Sequence, residues 1–150
     1  MAYWLLKTEP KECSIEDLAA APMRAFVWEG VRNYQARNFL RQMQPGDEAL
    51  IYHSSCKEIG VAGIASIVRA AYPDPAQFDH HSPYFDGKSV RESPRWDAVD
   101  VRFVRRFSGI LPLEDLKALP ALEDFALVKK GNRLSVMPVT ASEWQAICSL

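Results

Sequence analysis

The chain has 150 residues, 48% hydrophobic and 25% charged, with a formal net charge of −1. These are globular values; a chain of this size buries a sufficient core without metal or disulfide staples, and disorder is excluded. A sequence pI of about 6.3 argues against a broad basic surface for gripping duplex DNA, which must displace many phosphate counterions.

A local basic patch remains open. The last fifty residues carry Arg102, Arg105, Arg106, Lys117, Lys129, Lys130 and Arg133 against five acids, although charges of this kind usually form only a solvated face. Cys13, Cys56 and Cys148 are odd in number and widely spaced, with no CxxC pair. They suggest neither a disulfide framework nor a zinc site, and fit reduced thiols in a cytosolic compartment. The apolar run at Tyr3–Leu6 is too short for a signal peptide, and no stretch approaches a membrane span. The expectation is one intracellular domain over residues 1–150, with no membrane partner.

In chain order, residues 2–9 read as a strand stopped by Pro10. Ser14-Ile15-Glu16-Asp17 resembles a capping box and predicts a short helix to about Ala20, broken by Pro22. Trp28 is then expected on a glycine-punctuated loop, ahead of a helix from about Arg32 to Met43 whose apolar face holds Ala36, Phe39, Leu40 and Met43. Pro45-Gly46-Asp47 predicts a turn and Glu48 to Ser54 a strand. Residues 60–72 are apolar on both alternating faces with small residues at Ala62, Gly63 and Ala65, the pattern of a central strand with a close backbone approach at the glycine.

Residues 73–95 hold four of the ten prolines and predict a long irregular connection, of the kind that is functional or disordered. A clear strand alternates through Val99, Val101 and Phe103. Pro112 predicts a helix start, a short helical piece follows Pro120, and Leu134-Ser135-Val136 predicts a last strand. Thr140-Ala141-Ser142-Glu143 is a capping box for a closing helix that carries Trp144 and Ile147. Strands with helices inserted, and no regular βαβ alternation, predict an α+β fold or partly open barrel and not a Rossmann sheet.

Enzyme motifs are absent: there is no GxSxG, P-loop, GxGxxG or HExxH. Adjacent His80 and His81 in the proline-rich connection read as surface residues. Gly60-Val61-Ala62-Gly63 matches a GxxG pattern of RNA clamps, but it lies in an apolar strand without basic neighbours and is discounted. His53, Cys56 and Glu58 are close in sequence, and a structural role outweighs a Cys–His pair there.

The positive signal is aromatic. Trp4 and Trp144 are expected in the core, whereas Trp28 before a helix and Trp96 at the edge of the proline-rich segment occupy positions where a recognition wall would be built. The helix start after Trp28 adds free N–H donors beside that wall.

Tyr3-Trp4-Leu5-Leu6-Lys7-Thr8-Glu9-Pro10, the segment Trp28 to Phe39, and Tyr52-His53-Ser54 together resemble the EVE domain. So do Ala71-Tyr72-Pro73-Asp74-Pro75, Pro94-Arg95-Trp96, Arg133-Leu134-Ser135-Val136 and Pro138-Val139. The resemblance spans essentially the whole chain, to both the thymocyte nuclear protein type and the small standalone bacterial type. It implies a PUA-like, partly open β-barrel with helices packed around it, related to the YTH readers of methylated RNA. It further implies a non-enzymatic reader that flips a modified base, modified cytosine in DNA or a modified RNA base, into an aromatic-lined pocket. Two departures stand out: Met137 replaces a common Gln, and Tyr52 stands where Phe is frequent.

Carried onto this chain, the resemblance implies that Trp28, Tyr52 and Trp96 shape the pocket while Asn33 reads a base edge. Lys7, Thr8 and Glu9 would line the rim, Ser54 would donate to a base or phosphate, and Arg32 and Arg37 would contact phosphate. No catalytic residue, metal or cofactor is implied. The expected partner is DNA or RNA bearing a modified base, met by a monomer in the cytoplasm, or in the nucleus of a eukaryote. Two alternatives stay open: an enzyme using Lys7, Glu9 or His53 as acid or base, and a protein-interaction module that has lost the pocket.

Overall fold

The computed structural model describes residues 1–150. Its centre is a six-stranded mixed sheet built from β1 (Tyr3–Thr8), β2 (Phe26–Trp28), β3 (Glu48–His53), β4 (Gly60–Pro73), β5 (Asp97–Pro112) and β6 (Val136–Val139). The strand order is β2-β5-β4-β3-β1-β6. Only β1 and β3 run parallel. Both edge strands are short and do not pair with each other, so the sheet curls without closing. The α+β, partly open architecture expected from the sequence is therefore present. Four helices surround it: α1 (Ile15–Ala20), α2 (Tyr34–Leu40), α3 (Leu113–Lys117) and α4 (Ala141–Cys148).

The curl originates in β4 and β5. Their pairing shifts register four times along its length, and each irregularity adds local twist. Gly63 permits this contact, because a Cβ there would sit 2.4 Å from the carbonyl oxygen of Arg105. The close approach expected at this glycine is real, and it is made by the neighbouring strand.

Pleat alternation divides the core in two. Trp4, Leu6 and Ile51 face one side, where Ile15 and Leu18 of α1 and Ala36 and Leu40 of α2 cover them. Leu5, Leu50 and Tyr52 face the other, beneath Leu116, Phe125, Trp144 and Ile147. Burial on both faces explains why β1 reads as a continuous apolar run. Both capping boxes form, with Ser14 and Asp17 starting α1 and Thr140 and Glu143 starting α4.

Several boundaries differ from the expectations. Trp28 lies at the end of β2, paired with Val99, and not on a loop. A three-residue edge strand is too short for a period-two signal. The second helix begins only at Tyr34 and ends at Leu40. The last strand starts at Val136, so Leu134 and Ser135 precede it.

The connection 73–95 holds only one 3-10 turn, Pro75–Phe78, but it is pinned by buried polar groups. Asp74 is fully buried and its carboxylate accepts from the N–H groups of Gly30 and Ala76 and from the Arg32 guanidinium, at 2.9, 2.6 and 2.9 Å. Gln77, also fully buried, donates to the carbonyls of Asp74 and Trp96 and accepts from the Ser89 hydroxyl and the Trp96 N–H. A second buried carboxylate, Asp47, accepts from the Trp4 indole at 3.0 Å and from the N–H groups of Ala2 and Gln44. Burial alone would raise that carboxyl, but the hydrogen bonds from Trp4, Ala2 and Gln44 outweigh it and hold it below the usual carboxylate range.

Two outcomes follow for stability. Because folding depresses the Asp47 carboxyl, its contribution is complete above the unfolded value of about 3.9 and drains away as pH falls through the lower folded value. Urea melts from pH 6 to pH 2 should show Asp47→Asn less stable at pH 6, with a smaller acid-induced drop than the parent. Asp74→Ala leaves the Arg32 cation without its partner, and should cost about 3–5 kcal/mol in the same melts, well beyond an exposed Asp79→Ala control.

Candidate nucleobase cleft

The ends of β1, β2 and β3 open together onto a cleft of about 560 Å³. Thr8 and Glu9 come from β1 and the turn after it, Ser54 from the end of β3, and Trp28, Glu29 and Gly30 from the end of β2. Ser54 donates its N–H to the Thr8 carbonyl at 2.9 Å, and the Thr8 hydroxyl donates to the Cys13 carbonyl at 2.8 Å. These bonds tie the β1 end to β3 and to the segment leading into α1.

Trp28 is 6% exposed, packed in the first core and yet part of the cleft lining. The second aromatic of the lining is Tyr84, from the proline-rich connection. Its position depends on Gly30, where φ is +86° and a Cβ would lie 2.8 Å from the Tyr84 ring. A side chain at residue 30 would be strained and would push the tyrosine away. The Tyr84 hydroxyl donates to the Glu12 carboxylate at 2.6 Å. Burial, and then that bond, push the phenol up to about 12, so it is a neutral donor at physiological pH.

Charge in the cleft is acid-biased. Glu9, Glu12 and Glu29 face a single guanidinium, Arg133. The Glu29 carboxyl is raised by burial and by Asp74, against the opposing pull of Arg32. The cleft thus offers acceptors and aromatic surface, which suits a planar ligand that presents N–H donors along one edge.

Of the residues expected at the site, Trp28, Thr8, Glu9 and Ser54 converge here. Lys7 also borders the cleft, but its ammonium lies 5.7 Å from the centre of the Tyr52 ring, on the other face of the sheet. Tyr52 itself is buried among the second core and cannot share a wall with Trp28. The pleat decides this, since one residue of register exchanges the faces of a strand.

Trp96 is buried and does not line the cleft. It stacks on Tyr34 with ring centres 4.7 Å apart and donates its indole N–H to Asp86 at 2.8 Å. Asn33 is exposed and caps α2, accepting from the Ala36 N–H at 2.9 Å. The two arginines are committed to the protein. Arg32 reaches Asp74 and holds the Tyr84 carbonyl at 2.7 Å, while Arg37 donates to the Arg95 carbonyl at 2.8 Å and to Asn38.

Sequence reasoning missed Tyr84, Glu12, Glu29 and Arg133 as lining residues. Glu29 and Arg133 lay inside the motifs already singled out, and the positive-φ glycine beside Trp28 was the available signal for a packed aromatic. Of the proposed acid–base groups, His53 is buried and its Nε2 accepts the Ile15 N–H at 3.1 Å. Burial lowers that imidazole despite Glu16 and Asp17 nearby, so it is a neutral structural acceptor. Met137, the first departure, is fully buried opposite Leu5 on the far face and leaves the cleft untouched.

The EVE domain model matches residues 2–150. Human thymocyte nuclear protein 1 is 43% identical over 166 residues, covering 99% of this chain and 73% of that protein. A crystal structure of a Pseudomonas syringae protein superposes with a TM-score of 0.96 at 54% identity, over 99% of this chain and 98% of the other. The crystal structure of the human protein in complex with DNA containing 5-methylcytosine superposes with a TM-score of 0.92 at 43% identity, over 99% and 96% of the two chains. On this evidence the chain belongs to the EVE domain family.

Proposed function

We propose that this protein binds a 5-modified cytosine in DNA by receiving the base in the cleft lined by Trp28 and Tyr84. The observation that carries the reading is the combination of two aromatic side chains with three carboxylates in one cleft at the strand ends. The human relative solved with 5-methylcytosine DNA supports it.

The chemistry of the ligand matches the cleft. Cytosine presents its exocyclic N4 amine as a donor, whereas thymine presents an acceptor at the equivalent position. A carboxylate such as Glu29 accepts from the first and repels the second. The rings of Trp28 and Tyr84 supply stacking or edge contact, and Val27 and Val31 offer apolar surface to a methyl group. A base whose edge is read inside the cleft must leave the duplex stack or arrive unpaired.

The proposed action is binding without chemistry. Cys13 is the one thiol in the cleft, and burial, then Asp17 and Glu12, push it up to about 11. It stays a neutral thiol at physiological pH and a poor nucleophile.

Fluorescence anisotropy with single-stranded and duplex oligonucleotides, in DNA and RNA forms, tests the reading. A buried methyl is worth about 0.8 kcal/mol, so 5-methylcytosine DNA should bind about fourfold more tightly than cytosine DNA. Glu29→Gln should erode preference for cytosine over thymine, because edge contacts carry identity. Trp28→Phe, chosen because truncation to Ala would cost about 3–5 kcal/mol of stability, should weaken all bases together. Asn33→Ala should cost about 1 kcal/mol through the lost cap and leave base preference intact. Equal binding of every oligonucleotide by the folded parent would sink the reading.

A further inference from the structure

We infer that a second groove, on the opposite side of the loop that borders the cleft, is the track for the phosphodiester backbone of the bound strand. This rests on the cleft being the base site and names the surface that carries the rest of the ligand. The groove has a volume of about 790 Å³ and is lined by Lys7, Lys117, Lys129 and Lys130, with Glu123 the one carboxylate among its lining residues.

Three observations point to a polyanion. The first is charge segregation: an overall net charge of −1 is divided into an acid-biased cleft and a lysine-lined groove beside it. Phosphates are repelled by the carboxylates of the cleft, so a strand that delivers a base there must carry its backbone elsewhere.

The second is continuity. Lys7 borders both cavities, and the segment 129–135 divides them, giving Lys129, Lys130 and Asn132 to the groove and Arg133 and Ser135 to the cleft. The third is availability. Lys129 alone of the four lysines has a carboxylate within ion-pair distance, Asp124 at 3.8 Å. Lys117, Lys129 and Lys130 are exposed. By contrast, the arginines nearest the cleft on the α2 side are held by protein carbonyls and Asp74.

The presenting loop is also fixed. Asn132 donates its side-chain amide to the Ala126 carbonyl and accepts the Leu134 N–H at 2.8 Å, around a left-handed Gly131 at φ +80°. Phe125 and Leu127, just before it, are buried in the second core. The lysines therefore stand on a braced turn, which reduces the ordering cost of binding.

The test is the double variant Lys117→Gln with Lys130→Gln, measured on oligonucleotides as a function of salt and, separately, on the 5-methyl-2′-deoxycytidine nucleoside. Each neutralised phosphate contributes about 0.7–0.9 to the log–log salt slope, so two lost contacts should flatten it by about 1.5. Affinity for modified and unmodified oligonucleotides should fall together, by about tenfold at 0.1 M salt, with their ratio and the nucleoside affinity unchanged. Control substitutions at exposed Lys57 and Lys88 should leave slope and affinity as in the parent. An unchanged slope in the folded double variant overturns the groove, whether or not affinity falls. Failure of the parent to prefer modified cytosine would fault the cleft alone, because the salt slope reads the groove on any sequence.

Discussion

The cleft depends on one buried carboxylate. Asp74 stands at the start of the proline-rich connection, yet its partners lie 42 and 44 residues away in Arg32 and Gly30. Through Gly30 it fixes the backbone two residues beyond Trp28. Through Arg32, which also holds the Tyr84 carbonyl, it fixes the second aromatic. Its own N–H donates to the Trp96 carbonyl, so the far end of the connection is drawn in as well. A fully desolvated carboxylate tolerates this place only because each oxygen is occupied. The same saturation prevents the segment around it from drifting, which is what a recognition wall on a long loop requires.

The sheet supplies the other constraint. Residues one apart on a strand face opposite sides, and the end of β1 uses this directly: Thr8 belongs to the cleft side while the Lys7 ammonium belongs to the side of Tyr52. A single strand terminus thereby delivers a hydrogen-bonding group to an acidic cleft and a cation to a basic groove. For Lys7 this separation follows from the pleat alone, whereas the other charges of cleft and groove are gathered from segments distant in sequence.

The large features of the fold were legible because they rest on local signals. Both capping boxes, the two-sided apolar strand at 60–72 and the close approach at Gly63 carry their physics within a few residues. Most of the residues that fall outside the cleft needed a long-range partner to be placed. Tyr52 and Trp28 look equivalent as aromatics, and only the pairing of β3 with β1 and β4 assigns Tyr52 to the far core. Arg32 and Arg37 read as free cations until the carbonyls of Tyr84 and Arg95 are brought to them. Asn33 had a local alternative, since a polar residue before a helix is first a cap. Tyr84 was hidden for the opposite reason: nothing near it in sequence marks it, and its cue is the glycine 54 residues earlier whose missing Cβ makes room for its ring.

Dividing the ligand between two sites has a thermodynamic consequence. In the proposed division, identity rests in the cleft on a few edge contacts and a methyl-sized apolar contact, each worth about 1 kcal/mol and nearly independent of salt. Strength, in the same proposal, rests in the groove on counterion release, which carries no information about the base. A protein with one strongly basic site would mix the two and hold any nucleic acid tightly at low salt. A net charge of −1 limits the unspecific term, which is the condition under which the proposed selectivity of one base contact is not drowned by it. The acidic cleft fits that proposed balance, because its three carboxylates repel the phosphates of a strand that approaches backbone-first.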